Sequence, residues 1–309
     1  MLEIRRSTKD GMGRLAALEQ GCWLHVVKPT PADLATVRDF GVPPDLLTHV
    51  SDIDERPRVE HAVDTVLVVL HYPLRETGRG VPPWRMLPIS VLLTPRGVVT
   101  IAAAQTPFLA PLLDGQVAAL STARGSEFVL RVCWQLADAC LAGLREINES
   151  VDRLEGELKR SLRNEEVLGL LDYQKSLTYL ATGLKGNELV LERLQRFPGL
   201  RWEEPDHELL DDVRIEVRQA IEMVEIFDNI LSQMMDAFAS IVSNNLNAVM
   251  KVLTSVTIIL AVPTLIASIY GMNVTLPGAR SGLAFAGIVL LSVVACGVLF
   301  VVFRRRNWL

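Results

Sequence analysis

Cysteine is sparse and unpaired in this sequence: Cys22, Cys133, Cys140 and Cys296 form no CxxC spacing. Neither a disulfide framework nor a zinc-finger site is expected, and all four read as small buried apolar residues. The histidines His25, His49, His61, His71 and His207 are scattered, with no HExxH among them, and there is no Walker-type phosphate loop and no GxSxG. The usual motifs of zinc hydrolases, nucleotide-loop enzymes and serine hydrolases are thus missing, and no enzyme is expected. Met1 to Asp10 is charged and lacks an apolar core, so no signal peptide is expected there. Acid is missing from a whole segment. Residues 251–309 contain none, but five bases, Lys251, Arg280, Arg304, Arg305 and Arg306. All 36 acids fall in the first 250 residues against 26 bases, a formal charge of −10. An acidic globule joined to a basic apolar segment speaks against nucleic acid as a partner and is compatible with cations.

What that segment has is length without charge. Val252 to Tyr270 is 19 residues with no charged side chain, and at about 1.5 Å per residue it reaches roughly 28 Å, the depth of a bilayer core. A second run, Gly282 to Phe303, is charge-free for 22 residues and begins nine residues after Asn273. The two read as membrane-spanning helices in a hairpin: a first span over 251–273, an external loop over 274–281, a second span over 282–303 and a basic tail over 304–309. Lys251 and Arg304 to Arg306 flank the outer ends while the loop has only Arg280, so the positive-inside rule places both termini in the cytoplasm.

Upstream, Gly21 to Val27 reads as a strand. Pro31 to Phe40 reads as a helix with Thr30 as N-cap and Gly41 as its stop, and Pro43-Pro44 opens a shorter one. Asp64 to Leu74 is β-branched, and Trp84 to Thr94 and Val98 to Ala104 flank Pro95-Arg96-Gly97 as a hairpin. About four strands are expected before residue 105, in an α/β domain with one mixed sheet. Glu127 to Leu162 and Glu165 to Arg196 then show helical spacing, as at Leu144, Ile147, Val151, Leu154 and Leu158, with Asn164 as the break between them. The α/β domain with its helical extension is assigned to 1–204 and a stalk helix to 205–250. After the break Phe197-Pro198-Gly199 nothing interrupts a helix from Pro205 or Asp206 until Pro263, so one helix is expected to run to about Tyr270. Its length, nearly 100 Å at about 1.5 Å per residue, cannot be buried by its own chain and implies parallel copies around an axis.

The first span ends in Tyr270-Gly271-Met272-Asn273, and the second in a basic cluster before Trp308-Leu309. With Asn247 to Leu253 and the acidic helix before it, these residues resemble the CorA family of divalent-cation channels, usually magnesium transporters. The resemblance covers the last 100 or so residues well and the first 150 only in general pattern. It implies a homopentamer in the cell (inner) membrane, with Gly271, Met272 and Asn273 as selectivity filter and Mg²⁺ as the transported ion. It also implies an intersubunit regulatory Mg²⁺ at Asp212, through which cytoplasmic Mg²⁺ gates the channel.

Reading back from Asn273 in helical steps gives Thr264, Ala261, Thr257, Leu253 or Thr254, Met250 and Asn247, a stripe of small, hydroxylated or flexible side chains. It is expected to line a pore, with Val252, Val256, Ile259, Ile266 and Tyr270 toward lipid or the second span. The competing reading is that such Thr and Ser side chains satisfy backbone carbonyls or let helices pack closely. Mg²⁺ gives up its water reluctantly, so a pore for it should hold the hydrated ion with amide and hydroxyl oxygens rather than strip it. Met250 and Leu253 would form an apolar constriction. Family loops often carry an acid after the Asn, whereas 274–281 has none. That leaves open a Zn²⁺ transporter of the same fold or a non-transporting membrane regulator. Asp52, Asp54 and Glu55 read as a solvated loop, and Asp211 and Asp228 as a solvated helix face.

Overall fold

The computed structural model describes residues 1–8, 11–78, 80–117, 120–160, 164–273 and 282–309, with backbone alone for Lys159, Arg160, Asn164 and Ala284. The chain forms two compact units, Met1–Ser232 and Gln233–Leu309.

In the first unit, β1 (Leu2–Thr8), β2 (Gly11–Arg14), β3 (Cys22–Val27), β4 (Arg58–Ala62), β5 (Thr65–Arg75), β6 (Trp84–Thr94) and β7 (Gly97–Ala102) make one sheet in the order β2-β1-β3-β7-β6-β5-β4. Only β3 and β7 are parallel, so the sheet is mixed, as expected. There are seven strands rather than four. The additional ones are β1, β2 and β4, toward the sheet's two edges, where a strand packs on one side and keeps charges on the other. In β1, Leu2 and Ile4 pack on the core while Glu3 and Arg5 pair with each other on the opposite face.

Alternation explains the two covered faces of the central strands. Cys22, Leu24 and Val26 join Leu67, Val69, Leu92, Val99 and Ile101 under Val37 and Phe40 of helix α1 (Pro31–Asp39). That helix starts as the sequence predicts: the Asp33 N–H donates to the Thr30 hydroxyl, and the Thr30 N–H donates to the Asp33 carboxylate. The residues opposite pack against two long helices, α3 (Gly125–Arg160) and α4 (Asn164–Gln195), which follow the one-turn helix α2 (Ala110–Leu113). The break between α3 and α4 falls on 161–163, outside the described residues. Gly97 starts β7 with φ +146, and a Cβ there would collide with the Cys22 carbonyl, so glycine alone permits the β3–β7 pairing to begin.

Helix α4 is pinned to β5 by Asn187, whose amide oxygen accepts from the His71 N–H at 2.8 Å while its amide nitrogen donates to the His71 carbonyl at 2.7 Å. β4 pairs with β5 only as far as Val69, and the buried amide takes up peptide groups beyond it.

Helix α5 (Glu204–Tyr270) begins in the first unit. Asp206, 1% exposed, fixes that start. Its carboxylate accepts from Arg124 at 2.7 Å, from the Ser126 hydroxyl at 2.8 Å and from the Glu203 N–H at 3.0 Å.

In the second unit, α5 from Gln233 packs with α6 (Gly282–Arg305). The loop assigned to 274–281 lies outside the described residues. Ser255 is fully buried, and Ile259, Val262, Pro263 and Ile266 continue its side of α5 half-buried. Ile288, Ser292, Ala295, Cys296, Leu299 and Phe303 form the half-buried stripe of α6. Pro263 has no N–H to give the Ile259 carbonyl, and the Cys296 thiol approaches that oxygen at 3.5 Å. Cys22, Cys133 and Cys140 are buried, but Cys296 is only partly so, which corrects the expectation for the fourth cysteine: one neighbouring helix covers it on one side only.

Candidate functional site

The first span closes with Gly271 and Met272 donating back to the Ala267 and Ile269 carbonyls at 2.9 and 3.3 Å, which leaves Asn273 as the first residue beyond the helical bonding. All three are exposed. Gly271 is not in a left-handed conformation, and a Cβ there would meet the nearest carbonyl oxygens at 3.4 and 3.5 Å, tolerable contacts. Nothing among the described residues therefore demands glycine at that position.

Below it, Met250, Leu253, Thr257, Ala261 and Thr264 are all exposed. At 100° per residue they fall on the face of α5 turned away from Ser255 and the α6 seam. Ile259 and Ile266, expected on the other side, are half-buried, while Val252, Val256 and Tyr270 flank them exposed. The Thr257 hydroxyl donates to the Leu253 carbonyl at 2.8 Å and that of Thr264 to Leu260 at 2.9 Å. Each hydroxyl has thereby used its one proton within the helix. What remains on the exposed face is an oxygen that can only accept. Asn247 is exposed too, but it lies at the margin of this face and lines a recess with Lys251 and Trp308.

Asp212 is exposed, and among the described residues it has no ion pair. Its neighbour Asp211 lines a shallow groove with Arg214 and Arg218. Asp228 is half-exposed. In the 52–55 loop, Asp52 accepts from the Asp54 N–H at 3.0 Å and Glu55 pairs with Arg58. His49, which appears isolated in the sequence, comes together with Asp52 and Glu55, their ligand atoms within 4.8 Å of one another.

One polar cluster has no counterpart in the sequence reading. On the α3 side of the sheet, Trp23 Nε1 donates to Thr100 Oγ1 at 2.8 Å, which lies 2.9 Å from His25 Nδ1, and His25 Nε2 lies 3.2 Å from Thr106 Oγ1. Burial pushes the His25 pKa down to about 4. The alternation Trp23, His25 against Cys22, Leu24, Val26 was the available signal, but it does not say which partner strand supplies Thr100.

The family described as "CorA-like Mg2+ transporter protein" matches residues 19–305. The cobalt/magnesium transport protein CorA of Methanocaldococcus jannaschii is 28% identical over 295 residues, 93% of this chain and 91% of that protein. The protein of the same name from Thermotoga maritima is 26% identical over 274 residues, 87% and 78% of the two chains. The complete structure of the CorA magnesium transporter from M. jannaschii superposes with a TM-score of 0.87 at 23% identity, covering 100% of this chain and 99% of that one.

Proposed function

The chain belongs to the CorA-like Mg²⁺ transporter family, and on that premise we propose that it is a membrane channel for divalent cations, Mg²⁺ first among them, built from several copies around one axis. The family is one of ion transporters, not enzymes. The observation that carries the reading is the exposed face of α5. It combines Asn273 and Gly271 at one end, hydroxyl oxygens at Thr264 and Thr257 whose protons are already spent, and no carboxylate anywhere along it.

A hydrated Mg²⁺ presents water hydrogens outward. Acceptor oxygens hold that shell without replacing it, so the ion is recognised yet free to leave. A ring of Asn273 amides, with Gly271 carbonyls beneath, would set the entrance. Gly271, which no contact among the described residues requires, would there let copies approach. Ala261 adds room below it. Met250 and Leu253 narrow the path with apolar side chains, and Asn247 stands at the far margin. Five copies are the number the resemblance implies.

The domain assignments complete the reading: a cytoplasmic part over 1–204, a stalk over 205–250, spans over 251–273 and 282–303, an external loop over 274–281 and a tail over 304–309, in the cell (inner) membrane with both termini in the cytoplasm. The first 250 residues carry −10 per copy, so copies packed together repel unless cations lie between them. Mg²⁺ at Asp212 against a neighbour's carboxylate would relieve the repulsion and keep the Met250–Leu253 constriction closed, and its departure when cytoplasmic Mg²⁺ falls would open the channel.

The test is ion uptake into liposomes containing the purified protein, comparing Mg²⁺, Co²⁺ and Zn²⁺. Mg²⁺ uptake is expected, and Asn273→Ala should abolish it while leaving the assembly intact. Undiminished Mg²⁺ flux in that variant would remove the filter reading. Preference for Zn²⁺ would favour a zinc transporter, and absence of all flux a membrane regulator.

A further inference from the structure

The bases that the proposed pathway does not use gather at one end of the second unit. Lys251 on α5 and Arg304, Arg305 and Arg306 at the end of α6 are exposed, and among the described residues none has a carboxylate partner. The sequence supplies the reason, since Asp236 is the only acid from residue 233 to the last residue.

This end is ordered by its own cap. Asn307 adopts φ 53, the left-handed conformation of a helix C-terminal cap, and the Trp308 N–H donates back to the Phe303 carbonyl at 3.0 Å. The reversal lays the Trp308 ring on that of Phe303, centroids 5.6 Å apart and planes within 8°. The indole is thereby held beside a recess of about 630 Å³ whose lining includes Asn244, Lys251, Thr254, Asn307 and Trp308. A fixed amphipathic ring at the end of a span, Lys251 with amide and hydroxyl groups in one concavity, and three unneutralised arginines in the residues just before Asn307 match a phosphodiester that carries apolar chains.

We propose that this end of the hairpin binds the headgroup of an anionic phospholipid, its phosphate held in the recess at Lys251 and Asn307 beside Trp308, with Arg304 to Arg306 supplying the positive charge around it. The site rests on the reading that α5 and α6 cross a bilayer, and not on which ion crosses. A bare phosphate shares the charge but not the chains, and Trp308 favours the lipid because an indole recognises the boundary between headgroup and hydrocarbon.

The test is retention of phosphatidylglycerol against phosphatidylcholine by the full-length protein, measured after extraction from vesicles of both lipids. Phosphatidylglycerol should be enriched, and raising salt should reduce the enrichment. Each base near an anionic surface contributes about fivefold in binding, so Arg304→Gln, Arg305→Gln and Arg306→Gln together should weaken retention about a hundredfold. The corresponding triple Lys variant should restore it. Equal retention of the two lipids by the parent protein would overturn the proposal, even if the Gln variant failed to assemble. Displacement of phosphatidylglycerol by millimolar inorganic phosphate would overturn the lipid as occupant and leave a simple anion site. Because lipid retention is read without transport, a protein that binds phosphatidylglycerol but carries no ion would count against the proposed function alone.

Discussion

Acid should loosen the sheet through one side chain. His25 sits 6% exposed between Thr100 and Thr106, and burial holds its pKa near 4 in the fold. In the unfolded chain it returns to about 6.5. Between those values the unfolded state binds the extra proton, so stability is fully present above about pH 6.5 and is lost as pH falls toward 4. At about pH 5 the linkage amounts to roughly 2 kcal/mol, about a thirtyfold rise in the opening equilibrium, and its limit below pH 4 is roughly 3 kcal/mol. Nearby Glu3 partly opposes the shift, whereas Arg5 and the chain's amino group reinforce it. Amide hydrogen exchange of β3 and β7, corrected for intrinsic rates, reads the opening directly. His25→Gln keeps donors and acceptors within reach of both threonines and cannot titrate, so its profile should be flatter than the parent's by about that amount. Parallel profiles for parent and variant over pH 7 to 5 would refute the assignment. His71 also titrates with a pKa lowered by burial, but it remains in both proteins and cancels.

Two further outcomes test the proposals at other places. Asp206→Ala removes three hydrogen bonds from the start of α5, although Arg124 keeps Glu127 and Glu203. It should cost about 2–3 kcal/mol, visible as faster exchange in the first turns of α3 and α5, and unchanged exchange there would show that the buried carboxylate does not fix the helix start. Asp212→Lys places a fixed ammonium where the regulatory ion is proposed to sit, so the variant's stalk should resist protease in chelator while the parent's resists only with Mg²⁺. If the parent is cut equally with and without Mg²⁺, the regulatory reading fails.

The parts of this fold that could be read from sequence are those where one physical effect dominates. Val252 to Tyr270 can only be long, apolar and helical, and Thr30 with Pro31 can hardly do other than open a helix. β5 and β6 were readable because both faces are buried and the residues run β-branched. β1, β2 and β4 were not, because a charged strand such as Arg58-Val59-Glu60-His61-Ala62 is indistinguishable from a loop until a neighbour takes its hydrogen bonds. The candidate filter was legible as a motif, and the orientation of Thr257 and Thr264 as a helical stripe. The use of their protons was not, since that depends on side-chain rotamers. The bonds of Asp206 to Arg124 and Ser126 and the Trp23–Thr100–His25–Thr106 cluster depend on partners 75 or more residues away, and no local pattern points to them.

The exposed face of α5, with its spent hydroxyl protons, has a consequence for protons themselves. From residue 237 to the last residue the side chains able to titrate are lysine, arginine, tyrosine and one cysteine, and every histidine lies at or before position 207. Carboxylates and imidazoles are the side chains that ordinarily change charge in mildly acidic solution. If ions travel along that face, the route itself holds neither a carboxylate nor an imidazole side chain, and an acid response of the flux is expected to originate in the carboxylates and imidazoles of residues 1–236. A shift from neutral to mildly acidic buffer therefore separates conduction from its control without changing a residue. Current through channels already open should stay level, while the fraction open moves.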